Sequence, residues 1–344
     1  MRMRPSISKL FCAGLASAAL LGPTQAADFY ANKKIDFLIG ADAGGGYDVY
    51  ARLIAKYLPQ ALAGTPTVVP RNMPGAGSAT AAASIYRIVP KDGTSIGALF
   101  PGVVIAPLLE DNAQKDLFDP SKFVYLGSAD NLIRVCVTYE TSKIKTMDDA
   151  LKNKTIVGAS AAGGSKRDYA VFTKKATHAQ FDIINGYKGT VDILLAMERG
   201  EVDAMCGIDW SSLKAQRGDW VRDHKLNVIV RYGADPQKEL DELKVPDISK
   251  FIPDDNDKKA VDLIVSQQTF GRPYIAPPET PEAQVKLLRD AFMKVMENHD
   301  FIADAEHAHM DVTPTAGDKV QDVVNKIYSA PPAIAQRARE LIKP

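Results

Sequence analysis

Four glycine-bearing turns are the segments of this sequence best suited to bind a ligand. Each follows a strand-like run and opens a helix-like run, so the first amide groups of that helix lack internal acceptors and carry partial positive charge. Such a turn attracts an anion, although a single one can equally serve only to let the chain bend tightly. The turns are Ala43-Gly44-Gly45-Gly46-Tyr47, Gly75-Ala76-Gly77-Ser78, Gly163-Gly164-Ser165 and Tyr187-Lys188-Gly189-Thr190.

Two acidic residues and a serine adjoin these turns. Asp48 follows the triple glycine, where it could pair with Arg52 one helical turn on, or receive a ligand amine or hydroxyl. Asp209 follows a later strand and could accept a hydrogen bond from a ligand beside Trp210, or be a solvated loop acid. Ser160 ends the strand before the third turn and completes the candidate binding residues.

Motifs of the common enzyme classes are missing from the sequence. The dinucleotide fingerprint needs a third glycine where Val49 and Thr80 stand, and no phosphate-binding Gly-x4-Gly-Lys-Ser/Thr occurs. No Gly-x-Ser-x-Gly or His-Glu-x-x-His is present, and Ser165 has no histidine near it in sequence. Ser165 is therefore interpreted as a helix cap or a ligand donor, and neither a cofactor nor a metal site is expected.

Composition and the N-terminal segment indicate an exported globular protein. The 344 residues are 46% hydrophobic, and 42 basic residues balance 42 acidic ones, which does not favour a nucleic-acid partner. Residues 1–26 combine basic residues, an apolar run and small residues before Ala26, so they are predicted to be a signal peptide cleaved after Ala26. In the remaining chain, Cys136 and Cys206 could form a disulfide or stand as two buried thiols on neighbouring strands.

Alternating strand-like and helix-like segments predict an α/β fold with two similar modules. Each module is expected to hold a mainly parallel sheet flanked by helices. Residues 27–128 and 233–344 would form the first module and residues 129–232 the second, with the ligand cleft between them. The first helix is predicted over Val49–Leu58 and is expected to end at Pro59. Residues 234–270 are polar and contain Pro236, Pro246 and Pro253.

The order of the motifs resembles the Bug or TctC-type receptors of tripartite tricarboxylate transport systems. The match extends over nearly all of the sequence that follows residue 26, and its specificity comes from the order and spacing of the pieces. The matching pieces are Gly44-Gly45-Gly46-Tyr47-Asp48, Asn72-Met73-Pro74-Gly75-Ala76-Gly77, Pro90-Lys91-Asp92-Gly93, Gly186-Tyr187-Lys188-Gly189, Glu201-Val202-Asp203 and Ala276-Pro277-Pro278-Glu279-Thr280-Pro281.

This resemblance implies a two-domain Venus flytrap fold that captures a small carboxylate-bearing metabolite in the periplasm. The ligand carboxylate would be held by backbone amides of the first-domain loops, and its distal part would be read by the second domain. The implied protein is a monomer with no catalytic residue, and its partners are transporter membrane subunits or a sensor kinase. The sequence departs from the family pattern at three positions: Ala43 replaces a proline, Met73 replaces an arginine and Asp168 replaces a histidine. The identity of the ligand therefore does not follow from the resemblance. An exported enzyme on the same fold, using Asp48 or Asp209 as acid or base, is the alternative.

Overall fold

The computed structural model describes residues 29–109, 116–160, 165–233, 236–308 and 310–343. The predicted signal peptide and its cleavage point lie outside the described residues, as do Gly163 and Gly164. Among the helices within these ranges, none has the length and apolar composition needed to cross a bilayer.

The first sheet has the strand order β11-β4-β10-β3-β1-β2. Its strands are β1 (Lys34–Ile39), β2 (Thr67–Asn72), β3 (Ser95–Ala98), β4 (Val124–Ser128), β10 (Pro273–Ala276) and β11 (Thr315–Ala316). β1 pairs in parallel with β2 and β3, whereas β10 runs antiparallel to β3 and β4. Because β1 is central and parallel, its side chains beyond Lys34 are buried or half-buried on both faces.

The second sheet has the strand order β7-β6-β8-β5-β9. Its strands are β5 (Arg134–Tyr139), β6 (Thr155–Ser160), β7 (Phe181–Tyr187), β8 (Ala204–Asp209) and β9 (Leu226–Tyr232). β6 pairs in parallel with β7 and β8, and β5 runs antiparallel to β8 and β9. The predicted α/β fold with two helix-flanked sheets is confirmed, but each sheet is mixed rather than mainly parallel.

Helices cover both sheets. They are α1 (Gly46–Ala61), α2 (Ala79–Arg87), α3 (Gly102–Leu109), α4 (Met147–Lys152), α5 (Ser165–Thr177), α6 (Thr190–Glu198), α7 (Trp210–Arg222), α8 (Lys238–Glu242), α9 (Asp255–Val265), α10 (Glu282–Met296), α11 (His299–His307), α12 (Gly317–Tyr328) and α13 (Pro332–Ile342). Pro59 lies inside the last turn of α1 rather than ending it. The polar, proline-bearing stretch 234–270 contains α8 and α9. The Asp254 carboxylate accepts amide hydrogen bonds that cap the start of α9.

The chain enters the second sheet after β4 and returns to the first before β10. The final helix α13 packs on α3 and α9 and also on α5, so it contacts helices that flank different sheets. The domain limits 27–128, 129–232 and 233–344 agree with the sheet membership of the strands and stay a prediction.

A disulfide joins Cys136 on β5 to Cys206 on β8. The two residues are direct partners in the antiparallel register, with Cα atoms 3.9 Å apart, and both side chains are fully buried. Of the two arrangements left open by the sequence, the structure has the bridge on neighbouring strands.

Removal of this bridge is expected to destabilise the second module. The cysteines are 70 residues apart in sequence. A bridge that closes a loop of that length lowers the entropy of the unfolded chain and so raises its free energy by about 4 kcal/mol. Reduction of the protein should therefore lower the free energy of unfolding by about that amount, measured by urea titration. The Cys136→Ala/Cys206→Ala variant should already be destabilised and should not respond to reductant. Equal sensitivity of the variant and the parent protein to reductant would contradict the assignment.

Candidate functional site

The loops after β1, β2 and β3 meet at one edge of the first sheet because these parallel strands end together. Ser78 joins them: its hydroxyl donates to the Gly40 carbonyl at 2.7 Å and accepts from the Phe100 amide at 3.0 Å. Its side chain is fully buried. The backbone of Gly75-Ala76-Gly77-Ser78 is therefore attached to the ends of β1 and β3, while Ser78 itself offers its hydroxyl to no ligand.

This second turn has four consecutive residues with positive φ. The values are 130° at Gly75, 45° at Ala76, 62° at Gly77 and 78° at Ser78. Left-handed backbone is costly at the two residues that carry a Cβ, and such geometry persists only where neighbouring contacts enforce it. The hydrogen bonds of Ser78 are those contacts.

Asp48 organises the first glycine turn. Its carboxylate accepts hydrogen bonds from the Gly44 amide at 2.8 Å, Arg52 Nε at 2.9 Å and Asn72 Nδ2 at 2.7 Å. Burial opposes the charge of this carboxylate, but the hydrogen bonds outweigh burial and hold the pKa of Asp48 below its usual value. The predicted pairing with Arg52 is confirmed, and Asp48 acts on the loop rather than on the space in front of it.

The corresponding edge of the second sheet carries an ion pair between Arg134 and Asp209. β8 ends at Asp209, and β5 begins beside it at Arg134 because the two strands run antiparallel. Arg134 Nε donates to Asp209 Oδ1 at 3.1 Å, and the side chains are 11% and 19% exposed. The guanidinium also lies 5.0 Å from the centre of the Tyr169 ring. Asp209 is thus neither a solvated acid nor an unpaired base.

Arg272 occupies the equivalent place in the first sheet, just before the antiparallel strand β10. Its guanidinium stacks on Tyr50 at 3.9 Å and Tyr47 at 4.7 Å, and its Nε lies 3.7 Å from Asp130 Oδ2. Neither Arg134 nor Arg272 was identified from the sequence. The available signal was a single charged residue directly before an apolar strand, and its meaning depends on a strand direction that the sequence does not reveal.

A cavity of about 690 Å³ lies between the N-terminus of α1 and the N-terminus of α7. Gly44, Gly46 and Arg272 line it from the first module, together with the carboxylates of Glu306 and Asp311, and Ser211 and Lys214 line it from the second. Neither helix has a side-chain cap on its first amides. Asp209 is in the N-cap position of α7, but its carboxylate accepts a hydrogen bond from Arg134 and none from the first amides of the helix. Two sets of uncapped helix amides therefore border one space.

A second cavity of about 320 Å³ lies on the other side of Tyr47. Tyr47 and Phe100 line it from the first sheet, and Arg134, Ser165 and Tyr169 line it from the second. The Tyr47 hydroxyl donates to the Gly271 carbonyl at 3.0 Å. Burial raises the pKa of Tyr47 to about 12, so the hydroxyl stays protonated at neutral pH. The stacked Tyr47 and Arg272 side chains thus lie between the two cavities.

Several predicted residues do not border these cavities within the described part of the chain. The residues concerned are Ala43, Gly45, Asp48, Gly75, Ala76, Gly77, Ser78, Ser160, Tyr187, Gly189, Thr190 and Asp209. The expectation that Trp210 walls the site is wrong: its indole is buried in the core of the second module, where Nε1 donates to Glu239. In the described residues, no group of histidine, cysteine and acidic side chains could hold a metal ion.

Asp130 is the carboxylate of this region whose titration differs most from normal. Asp130 is 2% exposed, and Thr313 donates to its Oδ1 at 2.7 Å. Burial raises the pKa of Asp130 to about 6, with Asp311 and Asp209 adding to the shift while Thr313 and Arg272 oppose it. Burial lowers the pKa of Lys166; the nearby charge of Arg134 adds to this shift and that of Asp209 opposes it.

Comparison with known proteins identifies the fold of this chain. No protein-family model matches the chain. A UPF0065 protein of Bordetella bronchiseptica is 33% identical over 115 residues, which are 32% of this chain and 34% of that protein. The alignment thus spans about a third of the length of that curated relative.

Solved structures align over most of the chain. A TctC solute-binding protein from Polaromonas, without ligand, has a TM-score of 0.71 at 17% identity and covers 91% of this chain and 99% of its own. The chain has the fold of the TctC and Bug solute-binding proteins. The periplasmic binding protein BugD has a TM-score of 0.58 at 19% identity, covering 91% of this chain and 98% of its own. An R. palustris protein with adipate has a TM-score of 0.59 at 16% identity, covering 89% and 97%.

The resemblance to Bug and TctC receptors found in the sequence is confirmed by this fold. Both cavities are lined by residues from both sheets or their flanking helices, and the space that they occupy is called the cleft.

A proline at Gly45 tests whether the first-turn amides bind ligand. Gly45 has a φ of −77°, which proline adopts, so Gly45→Pro removes one amide donor with little change in the backbone. We expect it to weaken carboxylate binding at least tenfold, by calorimetric titration. The matched variant Gly45→Ala keeps the amide, and its Cβ would meet nothing nearer than the Asp42 carbonyl at 3.6 Å. Equal affinities of the two variants would exclude this amide as a donor.

Asp130 predicts a pH dependence of stability. Its folded-state pKa of about 6 lies above the unfolded value, so folding favours the neutral carboxyl. The stabilisation is complete below about pH 4 and is lost as the pH rises through about 6. Relative to Asp130→Asn, the parent protein should lose about 2 kcal/mol of unfolding free energy between about pH 4 and pH 7 in urea titrations. Parallel pH profiles of the two proteins would contradict the shifted pKa.

Proposed function

We propose that this chain is an exported receptor that closes its two modules on a small carboxylate in the periplasm and delivers it to membrane transporter subunits or a sensor kinase. The observation that carries the proposal is the cavity between α1 and α7, where uncapped helix amides from both modules and the Arg272 guanidinium border one space. The two basic side chains that line the cavity, Lys214 and Arg272, are matched by two acidic ones, Glu306 and Asp311, so the backbone donors are what favours a carboxylate there.

In this proposal Arg272 and Arg134 bind different parts of the ligand. Arg272 has Asp130 as an ion-pair partner at 3.7 Å, and it lines the larger cavity, so its guanidinium can pair there with a ligand carboxylate. Arg134 is already hydrogen bonded to Asp209, so it binds the distal part of a ligand without leaving an unpaired buried charge in the empty state. An aliphatic chain between two polar ends would lie against Tyr47 and Phe100.

Closure around the ligand is the proposed mode of binding. Cavities of about 690 and 320 Å³ are large for a small carboxylate, which matches an open state that the ligand converts to a closed one. The remaining predicted binding residues, Ser160, Tyr187, Gly189 and Thr190 with the Gly163-Gly164 turn, would approach the ligand in the closed state. Gly75, Ala76 and Gly77 would add amides from the first module.

Catalysis is not part of the proposal. The structures that share this fold include binding proteins, one of them holding adipate. Ser165 lines the smaller cavity, but no histidine is among the residues that line either cavity in the described chain. Asp48 and Asp209 are committed to internal hydrogen bonds, so neither is poised as a general base.

A ligand screen tests the receptor. The protein is unfolded and refolded to remove any carried solute, then melted with mono-, di- and tricarboxylates, aromatic acids and amino acids. At least one carboxylate should raise the melting temperature and be recovered unchanged. If no carboxylate does so, or if the compound is consumed, the receptor proposal fails.

Arg272→Gln locates the binding site once a carboxylate has been found. The variant should bind that carboxylate at least tenfold more weakly, because a charged hydrogen bond is lost. Arg222→Gln is the matched control, since Arg222 is exposed on α7 and pairs only with its neighbour Asp223. Equal affinity of both variants in calorimetric titration would remove Arg272 from the site.

A further inference from the structure

A basic surface lies at the end of the second sheet remote from the cleft. It surrounds an open cavity of about 1070 Å³ and includes six basic side chains. They are Lys152, Lys154, Lys174, Lys175, Arg337 and Lys343. Within the described residues the carboxylates that line this cavity are Asp182 and Glu340. We call this surface the lysine face.

Internal contacts account for only part of the lysine face. Lys154 pairs with Asp182 at 2.9 Å, Arg337 pairs with Asp257, and Lys175 Nζ donates to carbonyls in the last turn of α13. Lys152, Lys174 and Lys343 are exposed and form no salt bridge with any described residue. The last turns of α4 and α5 gain from nearby cations because of the helix dipole, but this effect is small at an exposed site.

The lysine face is strongly asymmetric in charge relative to the rest of the protein. Its six basic and two acidic side chains leave four net positive charges, whereas the other residues of the chain comprise 36 basic and 40 acidic ones. A neutral protein with one concentrated positive surface orients that surface toward an extended anion.

The chemistry of the lysine face favours a lipid surface over a folded protein partner. Protein interfaces have an apolar or aromatic centre, and none of the large apolar side chains exposed in the described chain lies on this face. Lysine ammonium groups are mobile point charges that impose no fixed geometry on an anion. An anionic bilayer supplies many such charges in one plane, and each lysine near it adds attraction.

The position of the lysine face leaves the cleft accessible. β6 and β7 begin beside it at Thr155 and Phe181, whereas their carboxyl ends point toward the cleft edge of the sheet. We propose that the lysine face holds this protein reversibly against an anionic phospholipid bilayer, with the cleft directed away from the lipid. This association does not depend on which solute the cleft binds.

Vesicle sedimentation tests the proposal. The purified protein is mixed with vesicles of phosphatidylcholine alone or with about 30% phosphatidylglycerol. We expect binding only to the anionic vesicles, with at least a tenfold fall in the partition coefficient when the salt is raised from about 50 to about 300 mM. No preference for phosphatidylglycerol would overturn the proposal, even if the protein bound an acidic protein instead.

Charge-reversal variants locate the binding surface. Lys152→Glu/Lys174→Glu/Lys343→Glu should reduce the partition coefficient at least tenfold. The control Lys259→Glu/Lys294→Glu/Lys319→Glu changes the net charge equally at exposed lysines outside the face, and should remain within about threefold of the parent. Equal losses in both variants would show a net-charge effect and overturn the assignment. Unchanged circular dichroism would show that both fold, and a retained ligand-induced melting shift would show that the cleft is intact.

Discussion

The buried carboxylate of Asp48 is the interaction on which the cleft depends. It accepts hydrogen bonds from the Gly44 amide, Arg52 and Asn72, and so joins the turn after β1 to the end of β2. Ser78 similarly joins the turn after β2 to β1 and β3, and Asp209 binds Arg134 across the second sheet. Because these side-chain acceptors are used internally, the helix amides beside them remain uncapped. Fixed turns beside helix amides that no side chain caps are what an anion site requires.

The mixed strand directions of the two sheets place two arginines at the cleft. A parallel strand brings its carboxyl end to the cleft, and an antiparallel strand in the same sheet brings its amino end there. β5 and β10 are antiparallel, and each is introduced by an arginine, Arg134 or Arg272. Each arginine is mostly buried against an aromatic ring and an acid, which lowers the cost of removing it from water.

The two ends of the second sheet differ for the same geometric reason. In a β/α unit the helix begins near the carboxyl end of one strand and ends near the amino end of the next. Helix N-termini therefore gather at the cleft, where they favour an anion, and the C-termini of α4 and α5 gather at the lysine face, where they favour cations. The fold thus separates the cleft edge, where solute binding is proposed, from the basic surface.

The alternation of apolar runs and glycine turns in the sequence determined the α/β class, most element positions and the glycine turns, because these follow from local periodicity and turn chemistry. The helix predicted over Val49–Leu58, for example, lies within α1 (Gly46–Ala61). Strand direction, the Cys136–Cys206 bridge and the placement of Trp210 in a core were decided only by tertiary structure. So were the two cleft arginines and the internal use of Asp48 and Asp209. Each of these depends on which segments distant in sequence become neighbours, and no local pattern encodes that.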